Sequence, residues 1–167
     1  RDWSSDVCSS DLSPVQIGTL NNWKTAYKVY GTAFAIDNTN KLYGWGENSI
    51  GAVGDGTTIN RSSPVQIGSS SWSIISVGNT NGSIGSQNIF GITVDGKLYA
   101  WGYNNRGQLL NGNSLPQSSP TQIGSDSWSL VSAGPNYAMG IKSNGTLWGW
   151  GENLAGRLGI TESTFSW

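Results

Sequence analysis

The stretch "LYGWGEN" at residues 42–48 returns as "LYAWGYN" at 98–104 and as "LWGWGEN" at 147–153. Working outward, "SPVQIG" begins at Ser13 and again at Ser63, and "SPTQIG" begins at Ser119. A tryptophan follows each (Trp23, Trp72, Trp128), and the aromatic-glycine motif then arrives at Trp45, Trp101 and Trp150. First and second tryptophans stand 22, 29 and 22 residues apart, so the unit is about 50 residues with a seven-residue insertion in the middle copy. A fixed period of this size points to a propeller, a solenoid or an array. Four strand-like runs recur in each unit; in the third copy they are "TQI", "WSLVSA", "YAMGIK" and "TLWGWG". Asp95-Gly96 and Asn144-Gly145 separate the last two runs as tight-hairpin pairs tolerant of positive φ. Thr39-Asn40 holds that place in the first copy. No segment carries a helical period. The fold expected is all-β: a partial β-propeller of about three four-stranded antiparallel blades.

Strand alternation puts Tyr43 and Trp45 on one face and Leu42, Gly44 and Gly46 on the other. In the third copy Trp148 and Trp150 oppose Leu147, Gly149 and Gly151. The expectation is that aromatic faces fill the space left by glycine faces of neighbouring blades. Each ring would remove roughly 150–250 Å² from water, worth up to about 4–6 kcal/mol. On that reading Trp23, Trp45, Trp72, Trp101, Trp128 and Trp150 are core positions, with Gly44, Gly46, Gly102, Gly149 and Gly151 as structural glycines, and Gly149→Val is strongly destabilising.

Composition agrees with many short strands and turns: 24 glycines, nine tryptophans and only 11% charged residues. The chain contains no histidine and a single cysteine, Cys8, which excludes a His/Cys zinc site and Ser-His or Cys-His nucleophile pairs. The net charge of −1 argues against a nucleic-acid partner. No apolar run is long enough for a membrane helix. Asp37, Glu47, Asp95 and Glu152 form no acid–base pattern, and no cofactor motif is present, so the chain is expected to be non-catalytic.

"LVSAG" ending at Gly134, "VDGKLYAWGYNNRGQL" from Val94 to Leu109, and "GWGENLAGRLG" from Gly149 to Gly159 resemble the regulator of chromosome condensation repeat family. The resemblance covers nearly everything from Ser13 onward. It implies a ring of seven blades when complete, of which this chain holds three repeats: 13–62, 63–118 (with the insertion near 79–88) and a truncated 119–167. Thr32, Asn88 and Tyr137 stand at the family's histidine position. Val29 stands where the other copies have Gly78 and Gly134, and "GQLLNG" replaces "GQLG". These departures are those of a divergent member, similar to bacterial or bacteriophage relatives. Residues 1–12 match nothing in the repeat and resemble a translated sequencing adapter, a non-native leader.

The resemblance implies a module that binds another protein or surface, in a secreted or virion-associated setting. Guanine-nucleotide exchange or chromatin-type regulation, as in the family's nuclear branch, and inhibition of an enzyme are the alternatives. Tyr103 replaces the glutamates Glu47 and Glu152 at the strand exit, Trp148 is irregular in the repeat, and Arg106 and Arg157 lie in the following loops. These four are the candidate partner-binding residues, since aromatics and arginine are favoured interface anchors. An open arc leaves a face bare at each end, so self-association is expected.

Overall fold

The computed structural model describes residues 13–79 and 87–160; the leader 1–12 with Cys8, most of the insertion and residues 161–167 lie outside them. Ten strands follow one another: β1 (Trp23–Val29), β2 (Thr32–Asp37), β3 (Leu42–Gly46), β4 (Arg61–Gln66), β5 (Trp72–Asn79), β6 (Gln87–Thr93), β7 (Lys97–Gly102), β8 (Gln117–Ala133), β9 (Tyr137–Lys142) and β10 (Leu147–Gly151). A 3₁₀ turn at Leu154–Gly156 is the only helical element among the described residues. The fold is all-β, three antiparallel blades of a propeller.

Strand pairing corrects one expectation. "SPVQIG" and "TQI" do not open the sheet of their own repeat. β4, which carries Pro64, pairs back onto β3 through Tyr43–Gln66 and Gly44–Val65. The first half of β8 likewise pairs onto β7, through Tyr99–Gln122 and Ala100–Thr121. Each such strand covers the otherwise open edge of the preceding sheet. The first blade is therefore β1-β2-β3-β4, and the second is β5-β6-β7 with the first half of β8. The 17-residue β8 then continues into the third blade, pairing with β9 from Trp128 to Ala133. Periodicity could not show this, because which edge a strand joins is a tertiary choice.

The opening strand of every blade shifts register just after its tryptophan, at Trp23, Trp72 and Trp128. At two of these bulges a serine hydroxyl donates across the sheet, Ser73 to the Ile92 carbonyl (3.0 Å) and Ser129 to the Ile141 carbonyl (3.1 Å). The extra residue re-aims the indole across the second strand. There Gly91 and Gly140 receive it: a Cβ on either would lie 2.5 or 2.7 Å from the ring of Trp72 or Trp128.

Two buried clusters hold the blades face to face. The first joins Phe34, Ile36, Leu42, Val53 and Ile67 to Trp72, Ile75, Ile89 and Trp101 of the second blade. The second repeats it with Phe90, Ile92, Leu98 and Leu109 against Trp128, Val131, Ala138 and Trp150. Trp101 meets Phe34 edge-on at 6.1 Å, and Trp150 meets Phe90 at 5.6 Å. So the aromatic face of each blade packs on the preceding one. Trp72, Trp101, Trp128 and Trp150 are buried, whereas Trp23 and Trp45, on the front of the first blade, are only partly covered.

The glycines of the heptad divide into two jobs, neither of which is to receive a neighbour's ring as expected. A Cβ on Gly44 would touch the Phe34 ring of the paired strand and Val53 O of the blade's own following loop (3.1 Å each), and one on Gly149 would touch Leu158 of its following loop (Cδ2, 3.2 Å); Ala100 already stands at this place in the second copy. Gly46, Gly102 and Gly151 all take positive φ (105°, 89° and 91°), and a Cβ there would collide with the carbonyl of Gly31, Gln87 or Asn136. That kink lets the next backbone N–H bond the same carbonyl, Glu47 to Gly31, Tyr103 to Gln87 and Glu152 to Asn136. The ring is received instead by Gly54, where a Cβ would lie 2.7 Å from Trp101 Nε1.

Candidate interaction surface

One end of the sheets carries the loops that leave the third strand of each blade. Their geometry comes from the asparagine that closes the heptad. Asn48, 0% exposed, accepts from the Val53 N–H (2.8 Å) and donates to the Thr57 and Ile59 carbonyls (both 3.1 Å). Asn104 repeats this with the Leu109 N–H (2.9 Å) and the carbonyls of Asn113 (2.9 Å) and Leu115 (3.1 Å). Asn153 accepts from the Leu158 N–H (3.0 Å) and donates to the Ile160 carbonyl (2.9 Å). A single amide, fully buried at Asn48 and Asn104 and partly so at Asn153, thus satisfies the backbone of a loop that has no ladder of its own. Sequence reading passed over these residues, although their recurrence in all three heptads was the available signal.

The first loop is further tied by an Arg61–Asp55 ion pair. Burial of Asp55 opposes its ionisation, but the Thr57 hydroxyl and N–H together with Arg61 outweigh it and hold the carboxyl below its usual value. At the loop entrance the Ser49 hydroxyl and N–H hold the Glu47 carboxyl low against the cost of burial. Asp37 is a turn organiser: although burial opposes its charge, it accepts from the Lys41 N–H (2.9 Å), and from the Thr39 hydroxyl and N–H (2.8 Å each), and lies below its usual value.

Tyr103, Arg106 and Arg157 lie on this loop end. Tyr103 is partly exposed beside Gln87, and Arg106 projects into solvent with its N–H held by Gln108 Oε1 (2.9 Å). Arg157 is folded back, donating to the Leu154 carbonyl (2.9 Å), near Glu152 (3.6 Å) and stacked 5.3 Å from the Tyr137 ring. Tyr30, 57% exposed at the β1–β2 turn, adds an aromatic that sequence reading did not select; the Gly31 carbonyl ties that turn to Glu47. Trp148 is elsewhere. It sits by the Asn144-Gly145 hairpin at the opposite end, with the Lys142 ammonium 3.6 Å above its ring and its Nε1 on the Thr146 hydroxyl (2.8 Å). The four candidates therefore form one loop-end group of three and a separate tryptophan.

Polar links also join blades where the family places histidine. Asn88 donates to the Gly134 carbonyl (3.2 Å) from the second blade to the third, and the Ala133 N–H donates to the Ser76 hydroxyl (2.9 Å) beside it. Thr32 stays within its blade, donating to the Glu47 carbonyl (2.9 Å). A cleft of about 360 Å³ between the first two blades is walled by Asp55, Ser69, Trp72, Tyr99 and Pro120, with its one carboxylate engaged by Arg61. Among the described residues no three His, Cys, Asp or Glu side chains converge on a metal position, and no helix is long and apolar enough to cross a membrane.

Comparison with known proteins agrees with this geometry. A model of the regulator of chromosome condensation (RCC1) repeat matches residues 39–83 and 95–141, and a second model of the same repeat matches 80–108 and 128–157. The chain is 33% identical over 90 residues to the ultraviolet-B receptor UVR8 of Arabidopsis thaliana, covering 53% of this chain and 19% of that protein. It is 35% identical over 80 residues to a bifunctional serine/threonine-protein kinase/NEDD4-like E3 ubiquitin-protein ligase of Dictyostelium discoideum, covering 47% of this chain and 4% of that one. In fold it is similar to yeast RCC1 (Prp20) as bound to Kap60, with TM-score 0.71 and 19% identity over 86% of this chain and 35% of the other. Human WBSCR16 gives TM-score 0.67 and 17% identity over 77% of this chain and 33% of the other. The chain thus spans about a fifth or less of the curated relatives and about a third of the solved ones. It belongs to the regulator of chromosome condensation (RCC1) repeat family.

Proposed function

We propose that the chain is a non-catalytic protein-binding module that recognises its partner through the loop end of the blades. The observation that carries this is the constancy of the loop frame against the variety of what it displays. The asparagine hub, the kinked glycine and the loop hydrogen bonds repeat from blade to blade. The displayed residues do not: Glu47 and Ile50, then Tyr103 and Arg106, then Glu152 and Ala155 occupy matching places. A rigid scaffold with variable loops is the usual arrangement for recognition. Aromatic and arginine side chains at its centre are the expected anchors. The binding partner is another protein or a surface it coats, in a secreted or virion-linked setting that the Gly-, Ser- and Asn-rich composition resembles. A Tyr103→Ser/Arg106→Glu variant should lose partners captured from the source proteome by the wild type, while Trp148→Ser should keep them. Identical capture by all three proteins would refute the loop end as the recognition surface.

The fold similarity to Prp20p, whose crystal structure is described together with its binding to Gsp1p and histones, favours a second reading: regulation of a small GTPase or of chromatin. Accelerated nucleotide release from such a GTPase in the presence of the chain would support it. Inhibition of an enzyme is a third outcome of the same partner search.

A further inference from the structure

We propose that the cleft between the first and second blades takes a lysine side chain of a partner protein, its ammonium seated on the ring of Tyr99. Both walls of this cleft lie inside the chain, since each of the two blades has all four of its strands. The contact is separate from Tyr103 and Arg106 and does not rest on the loop-end reading. The chain carries its own example of such an occupant. Between the second and third blades, the Lys142 ammonium lies 3.6 Å from the centre of the Trp148 ring and 5.5 Å from that of Trp128. Asp126 Oδ2 meets it at 2.9 Å, and the lysine side chain is only 15% exposed.

Register transfers each of these groups to the first interface. Trp128 pairs with Lys142 as Trp72 pairs with Thr93, so Thr93 stands in the lysine's place. Trp148 pairs with Gly140 as Tyr99 pairs with Gly91, so Tyr99 is the corresponding ring. Ser70 stands two residues before Trp72, as Asp126 does before Trp128. The first interface thus keeps both aromatics and lacks the lysine stem, its ammonium and the counter-charge. In their place is the open cleft of about 360 Å³, which Ser70, Trp72 and Tyr99 line. Gly54 on the opposite wall adds no side chain, where the second interface has Leu110. Trp72 is buried and meets Tyr99 edge-on at 5.4 Å, so the partly exposed Tyr99 is the ring a ligand reaches.

The charged neighbours accommodate a cation. Asp55 lines the cleft with Arg61 on its carboxylate, and the Lys41 ammonium donates to the Ser69 carbonyl (2.7 Å). Lys97 makes the same bond to the Ser125 carbonyl (2.9 Å) in the interface that already contains Lys142. An ammonium beside this clamp is therefore an arrangement the chain already adopts. A lysine suits the cleft better than a purely apolar side chain, because its stem covers apolar surface while its head is attracted to the ring face. Ser69 and Ser119 also line the cleft and can bond the peptide units that flank such a lysine.

Nuclear magnetic resonance on the full chain tests this, with Nα-acetyl-lysine amide as the probe. The Tyr99 and Trp72 ring resonances should shift saturably, with a dissociation constant on the order of 1–10 mM. The Nε-acetylated probe and the norleucine analogue keep the stem without the charge, and should bind at least about threefold more weakly. Tyr99→Leu should weaken the lysine probe by a similar factor. Ser70→Asp/Thr93→Lys rebuilds the ion pair of the second interface inside the first, and should abolish binding by filling the cleft. Circular dichroism checks the fold of both variants; the comparison of probes on the wild type needs neither. n-Pentylamine, which has the stem and ammonium alone, should bind more weakly than the capped lysine; tighter binding would assign the cleft to a free amine and overturn the partner protein as its source. No saturable shift at the probe's solubility limit overturns the proposal. So do equal affinities for charged and uncharged probes, or either folded variant binding the lysine probe as the wild type does.

Discussion

The two internal blade interfaces differ at the residue six positions after the loop asparagine, and exchanging it should change stability in a direction that can be worked out. Gly54 and Leu110 both stand six positions after the loop asparagine, and both have positive φ, 87° and 54°. At Gly54 the missing side chain lets Trp101 Nε1 reach the Ala52 carbonyl; at Leu110 the corresponding Trp150 Nε1 is buried without a partner. Leu110→Gly removes a left-handed Leu, worth about 1–2 kcal/mol. It also opens the way to the missing hydrogen bond, worth about 1 kcal/mol. Against this stand about 0.5–1 kcal/mol for glycine's freedom in the unfolded chain and about 1 kcal/mol for lost burial of a side chain already 47% exposed. The net expectation is a gain of about 1 kcal/mol, or about 2–4 °C in Tm for a chain of this size. Urea denaturation measures the first quantity. The indole N–H resonance of Trp150 reports the second effect, and its hydrogen exchange should slow. Gly54→Leu should act oppositely and more strongly, because its Cβ meets the Trp101 indole. A Leu110→Gly protein less stable than the wild type, with Trp150 exchange unchanged, would refute the reasoning.

Asn104→Ala should cost about 3 kcal/mol in urea unfolding, since it strands the buried Leu109 N–H and the carbonyls of Asn113 and Leu115, each worth about 1 kcal/mol or more. A loss below about 1 kcal/mol would show that water substitutes for the amide. Gly46→Ala places a Cβ against the Gly31 carbonyl at φ 105°, and should cost at least about 3 kcal/mol. Gly149→Ala is tight only against Leu158 Cδ2 (3.2 Å), with Leu158 Cβ and O at ordinary contact distance, and should stay within about 1 kcal/mol of the wild type by thermal melting; equal losses at the two sites would contradict the division of labour between them. Asp37 and Asp55 are held below their usual range in the folded chain, so their contribution is present above the unfolded carboxylate value of about 3.9 and is lost as pH falls through the folded values. Urea midpoints should therefore fall in that acid window, and Asp55→Asn should flatten the fall; an unchanged acid slope in that variant would remove Asp55 as a contributor.

Much of this architecture is legible in the letters because strands alternate and turns have their own chemistry. The repeat, the hairpin pairs and the shared face of Tyr43 and Trp45 need no coordinates. What the letters do not carry is the identity of the neighbour. Alternation puts Gly44 opposite Trp45 but is silent on what comes to rest there, and the occupants turn out to be the Phe34 ring and the loop at Val53. Trp45 and Trp101 are written alike, yet one is partly exposed and the other buried, because burial depends on the blade in front. Among the candidate partner-binding residues, Tyr103, Arg106 and Arg157 could be placed on one end by repeat register alone. The same register separates Trp148 from them, because it follows the Asn144-Gly145 hairpin at the start of β10 whereas the other three stand at or beyond a strand exit.

The offset between repeat and sheet has a practical meaning for anyone who cuts or multiplies this gene. An excision at the sequence boundary, before Ser63 or Ser119, would strip the preceding sheet of its last strand and hand that strand, orphaned, to the next segment. A cut between Gly68 and Trp72 would keep the first sheet whole. Duplication of one sequence repeat, by contrast, always brings along a clasp for its predecessor, so such an array can lengthen by simple copying and remain fastened at every joint.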